Sequence, residues 1–287
     1  MTLPVHIETK AGTAANICNT STTTTSKISA YQVFQQLLGV RHVNPGQSSG
    51  LSSIIHKLKR LGLNSQSRVI DIGGGTGHAA VTIARRYQCH VTVLEIDEKN
   101  IEQGRRYVQM CGLSDRVSFV HGDLEDLVVR SELLLPRYDA VVWLSVISFV
   151  QDRPRMVELL WQLVAPGGML VGLEFIWKFF EPHDAADTYN VCGCQGMVFY
   201  TTEDWLQMLT DATGETAIRV TRGPFNMMTT GMLNSEGFNL VPIMLRFVWH
   251  FRRHGKRIIE VYLHFLRRSP ILGWAAFELQ KSATVLS

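Results

Sequence analysis

From about residue 50 to residue 207, short apolar runs alternate with segments in which apolar residues recur every three to four positions. The short runs predict strands, and the periodic segments predict helices. Most of the predicted strands are apolar almost throughout, which is typical of parallel strands covered on both faces. The pattern therefore predicts an α/β fold with a doubly wound, mostly parallel sheet.

The predicted elements follow one another closely along the chain. The strands are RVIDIG, HVTVLEI, VSFVHGD, YDAVVWLSV and GMLVGLEFI, with TAIRVTRGPF and LGWAAFELQK near the end. The helices between them are LSSIIHKLKRLGL, HAAVTIARRY, NIEQGRRYVQMCGL and RPRMVELLWQLV. Strands separated by single helices imply crossover connections, so neighbouring strands should run parallel.

Three segments do not follow this alternation. The first, residues 1 to about 27, is polar and threonine-rich, with NTSTTTTSK at its end, and this composition predicts a disordered tail. The second, SAYQVFQQLLGV, predicts a short helix with Tyr31 and Phe34 on one face. The third predicts a helical insertion between the last two strands. The predicted organisation is a tail over 1–27 and one domain over 28–287, with a core at about 50–175, a loop at 174–201 and the insertion at 227–268.

Composition limits the classes of protein to consider. The chain has 287 residues, 46% of them hydrophobic, and a formal net charge of +3, too mild to imply nucleic-acid binding by the whole chain. No apolar run reaches the roughly 18 residues of a membrane-spanning helix. The start of the chain lacks the pattern of a secretory signal. Five scattered cysteines are typical of a reduced, cytoplasmic protein.

The stretch VIDIGGGTGH places four glycines within five residues, between a predicted strand and a predicted helix. Glycine permits unusual backbone angles and lets a ligand approach the main chain. The dinucleotide fingerprint requires glycine at its first, third and sixth positions, but His78 occupies the sixth position here. The alternative that the glycines only form a tight turn remains open at this point.

Acidic residues stand at the ends of three predicted strands. Asp71 precedes the glycines by two residues, Glu95 ends the second strand and Asp123 ends the third. A carboxylate at the second position can accept hydrogen bonds from ribose hydroxyls, and one at the third can meet an adenine amino group. Since such a site is poor in positive charge, it disfavours phosphates, and a cationic adenosine compound without phosphate fits better.

Five motifs occur in order from Val69 to Phe175: VIDIGGGTG, VTVLEID, VSFVHGDLEDL, YDAVVWLSVISFV and LVAPGGMLVGLEF. In these motifs the chain resembles the class I S-adenosylmethionine-dependent methyltransferases, and is most similar to the quinone, sterol and amine methyltransferases. The resemblance implies a Rossmann-like sheet of seven strands, the last one antiparallel, with S-adenosylmethionine as the cofactor. The implied cofactor-binding residues are Asp71, Gly73, Gly74, Gly75, Gly77, Glu95, Ile96, Asp123, Leu124 and Leu144.

The acceptor side of the site is less well defined. Candidate residues lie in the N-terminal covering segment and in the segment after the fifth strand: Tyr31, Phe34, His42, Glu174, Trp177, His183 and Tyr189. No catalytic base is assigned, since Phe149 stands where many relatives carry histidine. Cys192 and Cys194 form a lone Cys-x-Cys without other ligands, so no metal is expected.

The segment from Leu240 to Arg268 carries seven basic residues and one acidic residue, a net charge of +6, with aromatic residues between them. This pattern favours either a helical lid with a solvated basic face or peripheral contact with a membrane surface. The sequence therefore predicts a methyltransferase for a small, partly apolar acceptor, cytoplasmic or peripheral to a membrane. The alternatives are a methyltransferase that acts on nucleic acid or protein through this segment, and a cofactor-binding protein without turnover.

Overall fold

The computed structural model of the protein describes residues 47–124, 126, 137–192, 197–225 and 240–283. The predicted tail and the covering segment, with Tyr31, Phe34 and His42, lie outside the described residues. So does Cys194, together with the first part of the predicted insertion. The fold described below is the fold of the remaining chain.

Eight strands form one sheet. They are β1 (Arg68–Ile72), β2 (His90–Glu95), β3 (Val117–His121), β4 (Tyr138–Leu144), β5 (Val164–Trp177), β6 (Tyr200–Thr201), β7 (Arg219–Pro224) and β8 (Leu272–Gln280). The strand order is β3-β2-β1-β4-β5-β8-β7, and β6 pairs with β5 outside this path. The first five strands are parallel, while β8 runs antiparallel to both β5 and β7.

Seven α-helices connect the strands. They are α1 (Gln47–Leu58), α2 (His78–Tyr87), α3 (Glu98–Met110), α4 (Arg153–Leu163), α5 (Ala185–Cys192), α6 (Thr202–Thr213) and α7 (Leu240–Arg268), counted over the described ranges. Several begin at clear caps: the Asp97 side chain accepts from the backbone N–H of Lys99, and Thr201 forms a reciprocal capping box with Asp204.

The predicted fold class is confirmed, with one difference in the strand count. The seven predicted strands are present, and the last one is antiparallel as the resemblance implies. The eighth strand, β6, contains two residues that pair with Ile176 and Trp177 at the end of β5. The period-2 pattern cannot reveal so short a strand, since it requires four or more residues to be recognised.

The predicted loop at 174–201 contains more regular structure than the sequence indicated. β5 continues to Trp177, so that Glu174 pairs with Ala275 inside the sheet. The helix α5 and the strand β6 follow within the same segment. The length of β5 results from its pairing with β8, a contact between segments about 100 residues apart that local patterning does not contain.

Three apolar clusters hold these elements together. One lies between the sheet and the face carrying α1 and α2, and a second between the sheet and α4 and α6. The third lies at the end of β5, where α5 and α7 meet, and we call it the lid core. Its buried members are Trp177, Ala185, Val191, Met197, Phe199, Phe225, Ile258, Val261, Phe265 and Leu272.

Candidate functional site

The carboxyl ends of the parallel strands meet at one edge of the sheet, where ligands bind in open α/β folds. The strand order places β1 in the middle, with β2 on one side and β4 on the other. The glycine turn leaves β1 at this edge, and the short 3-10 helix Ile147–Phe149 follows β4 there. The segments after β1, β2 and β4 therefore lie side by side.

The glycine turn has a backbone that other residues rarely adopt. Gly73, Gly75 and Gly77 have φ angles of 60°, 57° and 79°, in the left-handed region where side chains cause strain. A Cβ atom at Gly73 would lie 2.6 Å from Cγ2 of Val146, whereas one at Gly75 would meet no atom within 4 Å. The turn is therefore packed below Gly73 and open beside Gly75.

Asp71 lies at the floor of this turn. Its side chain is buried, and Oδ2 has no hydrogen-bond partner. A Cβ atom at Gly74 would lie 2.6 Å from Oδ2, so glycine at this position leaves room for the carboxylate. Burial and then the charge of Glu95 raise the pKa of Asp71 to about 7, while a backbone hydrogen bond from Ala80 acts in the opposite direction.

Glu95 joins the turn to the end of β2. Its Oε2 accepts a hydrogen bond from the backbone N–H of Gly75 at 2.8 Å, and its Oε1 accepts from those of Ile96 and Asp97 at 3.0 and 2.9 Å. An ionised carboxylate offers about four acceptor positions. Three of these acceptor positions are used here, so about one remains for a ligand. The sequence predicts contacts with both ribose hydroxyls, which would need two.

The other implied cofactor residues lie after β2, after β3 and at the end of β4, on both sides of β1. Ile96 is 45% exposed, which leaves its side chain accessible for packing on a flat ring. Asp123 and Leu124 follow β3, and the backbone N–H of Gly122 donates to the carbonyl of Glu95 at 3.1 Å. Leu144 ends β4 and is buried. The structure thus groups the implied cofactor residues at one end of the sheet edge.

The segment after β4 contains a residue that the sequence analysis did not select. Ser145 has a φ angle of 56°, unusual for a residue with a side chain. Its Oγ is buried without a hydrogen-bond partner, and its N–H donates to the carbonyl of Leu173 at 2.7 Å. Strained residues with unsatisfied polar atoms cluster at ligand sites. Nothing in the letters WLSV signals this conformation.

Glu174 supports this segment from below. Its Oε1 accepts from the indole N–H of Trp143 and the backbone N–H groups of Val146 and Ile147, at 2.8 to 3.1 Å. Its Oε2 accepts from the Ser148 hydroxyl at 2.7 Å. Burial raises the pKa of Glu174 to about 7. The sequence predicts Glu174 beside the acceptor. In the structure its side chain is fully buried and accepts hydrogen bonds from the segment after β4.

Aromatic side chains pack together at the end of β5. The Tyr189 hydroxyl accepts from the indole N–H of Trp177 and the backbone N–H of Phe199, both at 3.1 Å, and donates to Glu181 at 2.9 Å. Burial raises the pKa of Tyr189 to about 12, so the phenol keeps its proton. Trp177, the last residue of β5, is fully buried and contacts Tyr189, whereas His183 is exposed.

The C-terminal half of α7 covers this aromatic group. Ile258, Val261 and Phe265 belong to the lid core. His264 is within 3.0 Å of the Thr188 hydroxyl, and Arg268 forms an ion pair with Asp184. The described C-terminal half of α7 therefore packs on α5 and on Trp177 at the end of β5.

The described residues show neither a metal centre nor a membrane-spanning helix. Within them, no group of three or more His, Cys, Asp or Glu side chains is arranged to hold a metal ion. In the same ranges, no helix combines the length and apolar character needed to cross a bilayer.

Comparison with known proteins identifies the domain. Residues 69–168 match the family model described as a methyltransferase domain. The chain is 31% identical over 103 residues to the tRNA 5-carboxymethoxyuridine methyltransferase of Escherichia coli, covering 36% of this chain and 38% of that protein. It is 22% identical over 192 residues to a ubiquinone/menaquinone biosynthesis C-methyltransferase of Proteus mirabilis, covering 65% of this chain and 72% of that protein.

A solved structure shows the same fold. It is an S-adenosylmethionine-dependent methyltransferase from Thiobacillus denitrificans in complex with S-adenosyl-L-homocysteine, with a TM-score of 0.61 and 17% identity. The superposition covers 88% of this chain and 98% of the other. The match to the Escherichia coli relative spans only 38% of the length of that protein.

The strand order and the glycine turn define a Rossmann-like methyltransferase fold. With the matched domain, which covers residues 69–168, they support the resemblance drawn from the motifs to the class I S-adenosylmethionine-dependent methyltransferases.

Proposed function

We propose that the protein binds S-adenosylmethionine at the glycine turn and transfers its methyl group to a small, partly apolar acceptor. The observation that carries the proposal is the pair of acidic side chains at the turn. Asp71 presents a buried oxygen atom without a partner, and Glu95 retains about one free acceptor position. A cationic ligand with hydroxyl and amino donors satisfies both, whereas a phosphate would be repelled.

The geometry of the turn fits such a cofactor. The space beside Gly75 is open, and the exposed side chain of Ile96 stands near the end of β2. When bound, S-adenosylmethionine would supply an electrophilic methyl group on a sulfonium. Asp71 would hold the positive end of the cofactor, and Glu95 would fix the ribose while it keeps Gly75 in place.

The acceptor would approach from the side of β4 and β5. Ser145 and the segment supported by Glu174 lie between the glycine turn and the lid core. The lid core and α7 would exclude water and align the acceptor with the methyl group. Alignment and exclusion of water can supply roughly 7–11 kcal/mol of the barrier, so methyl transfer need not depend on a single catalytic side chain.

A nucleic-acid acceptor is the second candidate, and the named relative from Escherichia coli is the observation in its favour. The support is narrow, since the match covers 36% of this chain. The family match, residues 69–168, also ends before the lid core. The elements that would choose the acceptor therefore lie mostly outside the matched part.

Two measurements test the proposal. Calorimetry should show binding of S-adenosylmethionine and S-adenosylhomocysteine but not of NAD. Glu95→Gln should weaken this binding by about 1–3 kcal/mol, the range for a lost charged hydrogen bond. Glu98→Gln, an exposed carboxylate in the first turn of α3, is the matched control and should bind normally. Binding of NAD in place of S-adenosylmethionine would refute the proposal.

The acceptor class requires a separate screen. A small-molecule extract and bulk tRNA should each be incubated with methyl-labelled S-adenosylmethionine and the full chain. Label in organic-soluble small molecules is expected. Label in tRNA alone would favour the second candidate while leaving the cofactor assignment intact.

A further inference from the structure

The helix α7, which is kinked at His254, exposes an unusual number of apolar side chains on its two parts. Seven of the eleven large hydrophobic residues that are exposed in the described chain lie on this helix. They are Val248, Trp249, Phe251, Ile259, Tyr262, Leu263 and Leu266, with exposed fractions of 39 to 60%. Monomeric soluble proteins rarely expose contiguous apolar patches of this kind without a binding role.

The spacing of the last four residues defines a face of the helix. Ile259, Tyr262, Leu263 and Leu266 follow the i, i+3, i+4, i+7 pattern of one helical side. The residues that pack into the lid core, Ile258, Val261 and Phe265, lie on another side of the same turns. The helix is therefore apolar on two sides, one buried against the protein and one directed outward.

Basic residues accompany the outer face. Arg252, Lys256 and Arg267 are exposed, whereas Arg257 and Arg268 are mostly buried. Arg257 pairs with the half-exposed Glu260 of α7 and donates to the carbonyl of Val191, and Arg268 contacts Asp184. Opposed copies of this face would bring like charges together in a symmetric dimer. An anionic surface would complement them.

A second exposed apolar pair adjoins the end of the helix. Phe179 and Phe180 are 69% and 64% exposed. The residue before them, Lys178, donates from its N–H to the carbonyl of Ile271 at 2.9 Å and from Nζ to the carbonyls of Ser269 and Pro270. These bonds place Phe179 and Phe180 in the segment that is tied to the residues just after α7.

We infer that the outer face of α7 is an interfacial membrane-binding surface, which inserts its apolar side chains among the headgroups of a bilayer that contains anionic lipids. Amphipathic helices with aromatic and aliphatic residues on one face and Lys or Arg beside them bind bilayers in this way. An RNA partner would use the basic residues but not the aliphatic stripe. The helix lies in the interface plane, since no helix among the described residues could span the bilayer.

Co-sedimentation tests the inference. The full chain is mixed with vesicles of phosphatidylcholine alone or of phosphatidylcholine with about 30% phosphatidylserine. The chain should co-sediment with the anionic vesicles at low salt and less at high salt, because surface attraction is screened. Among the six tryptophans, Trp249 is 60% exposed while the others are buried or half-buried. Binding should therefore shift tryptophan emission to the blue, and Trp249→Phe should abolish most of the shift.

Two pairs of variants separate the apolar and charged contributions. Leu263→Ser with Leu266→Ser should lower vesicle partitioning about tenfold or more, whereas Met110→Ser, an 80% exposed site at the end of α3, should not. Arg252→Gln with Lys256→Gln should lower it about tenfold or more, whereas Arg85→Gln with Arg86→Gln on α2 should not.

Three results would overturn the inference. The first is no co-sedimentation with anionic vesicles at low salt. The second is binding of bulk tRNA that depends on Arg252 and Lys256 and is unaffected by the Leu263 and Leu266 changes. The third is a dimer in analytical ultracentrifugation that Leu263→Ser with Leu266→Ser dissociates. None of these results bears on cofactor binding, which is measured separately.

Discussion

We divide the sheet edge into a cofactor half, which contains the glycine turn and the ends of β2 and β3, and an acceptor half, which contains the end of β5, α5 and α7. Contacts of different range along the chain hold these two halves. In the cofactor half, Glu95 reaches Gly75 across 20 residues, and its own neighbours Ile96 and Asp97 across one and two. In the acceptor half, α7 contacts α5 across 66 and 76 residues, and Lys178, just after β5, contacts Ser269, just after α7, across 91 residues. The first half is determined largely by local backbone conformation, and the second by the packing of distant segments.

This difference has a functional consequence. A turn that relies on glycine backbone angles and backbone N–H donors can bind one cofactor whatever covers the rest of the edge. A lid core assembled from distant helices can change its shape with few changes elsewhere. The acceptor half is therefore where we expect the specificity of the enzyme to reside.

The largest expected effect is at Glu174, which connects the halves. Glu174→Ala would leave two backbone N–H groups, an indole and a hydroxyl without their acceptor. We expect a loss of about 3–5 kcal/mol in the free energy of unfolding, the range for breaking a buried charged network. Urea denaturation provides the measurement.

The control is Glu158→Ala, which removes a half-exposed carboxylate on α4 and should cost about 0–1 kcal/mol. Because Glu174 holds the segment after β4, its loss should also weaken cofactor binding. A variant that unfolds at the same urea concentration as the control would contradict the support assigned to Glu174.

The second prediction concerns the open side of the glycine turn. Gly75→Ala introduces a methyl group where no atom lies within 4 Å, so the cost to stability should be only the strain of positive φ, about 1–2 kcal/mol. If the cofactor occupies that space, its affinity should fall about tenfold to hundredfold, measured by calorimetry.

Gly62→Ala is a matched control, since Gly62 has a φ angle of 61° and also has nothing within 4 Å of an added Cβ. It lies at the end of the 3-10 helix Lys59–Leu61, before β1. We expect Gly62→Ala to lose as much stability as Gly75→Ala and to keep the affinity of the unchanged chain for S-adenosylmethionine. Equal affinity in both variants would place the cofactor elsewhere.

Much of the cofactor half could be predicted from the sequence, and the reason is local. The α2 helix was predicted with its observed ends, His78 and Tyr87, because a glycine turn precedes it and apolar periodicity continues to its last turn. Asp71 and Glu95 lie in the last two residues of apolar strands and Asp123 lies just after one, so their position at the strand ends is given by the pattern. The strand order then brings them together.

The rest of the site depends on contacts that the pattern does not contain. Glu174 was expected beside the acceptor, but β8 pairs with β5 past this residue and buries it. The positive φ of Ser145 results from its place between β4 and the segment held by Glu174. The kink in α7 at His254 has no proline to mark it, and Gly255 beside it was not recognised as a signal.

The third prediction uses the titration of Asp71. Because burial raises its pKa to about 7, the carboxylate ionises as pH rises through 7, and a cationic cofactor should then bind more tightly. Below pH 7, affinity should fall by up to about tenfold per pH unit, the limit for one linked proton. Asp71→Asn should flatten this dependence, and a profile unchanged by the substitution would contradict the role of Asp71.

The same titration affects the protein without cofactor in the opposite direction. The pKa of Asp71, like that of Glu174, is higher in the folded chain than in the unfolded chain. Between about pH 4 and pH 7 the folded chain therefore binds more protons, and its stability falls as pH rises across this window. Cofactor should weaken the trend by removing the part that Asp71 contributes, while the part from Glu174 remains, and thermal denaturation with and without S-adenosylmethionine can show this.

The smallest expected effect lies in the acceptor half, at the Tyr189 hydroxyl. Tyr189→Phe would leave the indole N–H of Trp177 and the backbone N–H of Phe199 without an acceptor, at a cost of about 1–2 kcal/mol in the free energy of unfolding. The ring contacts with Trp177 and Phe199 would remain. Cofactor affinity should stay within about 0.5 kcal/mol, since distant sites without shared partners behave independently.

The decisive measurement for Tyr189→Phe is the turnover of the acceptor. Tyr189 belongs to the side chains packed against the lid core, so its loss should change KM or kcat for the acceptor once the acceptor is identified. Glu181→Gln is the matched control, because it keeps a hydrogen-bond acceptor for the phenol and removes only the charge. A large loss of cofactor affinity in Tyr189→Phe, with acceptor kinetics unchanged, would show that the two halves of the edge are not separate.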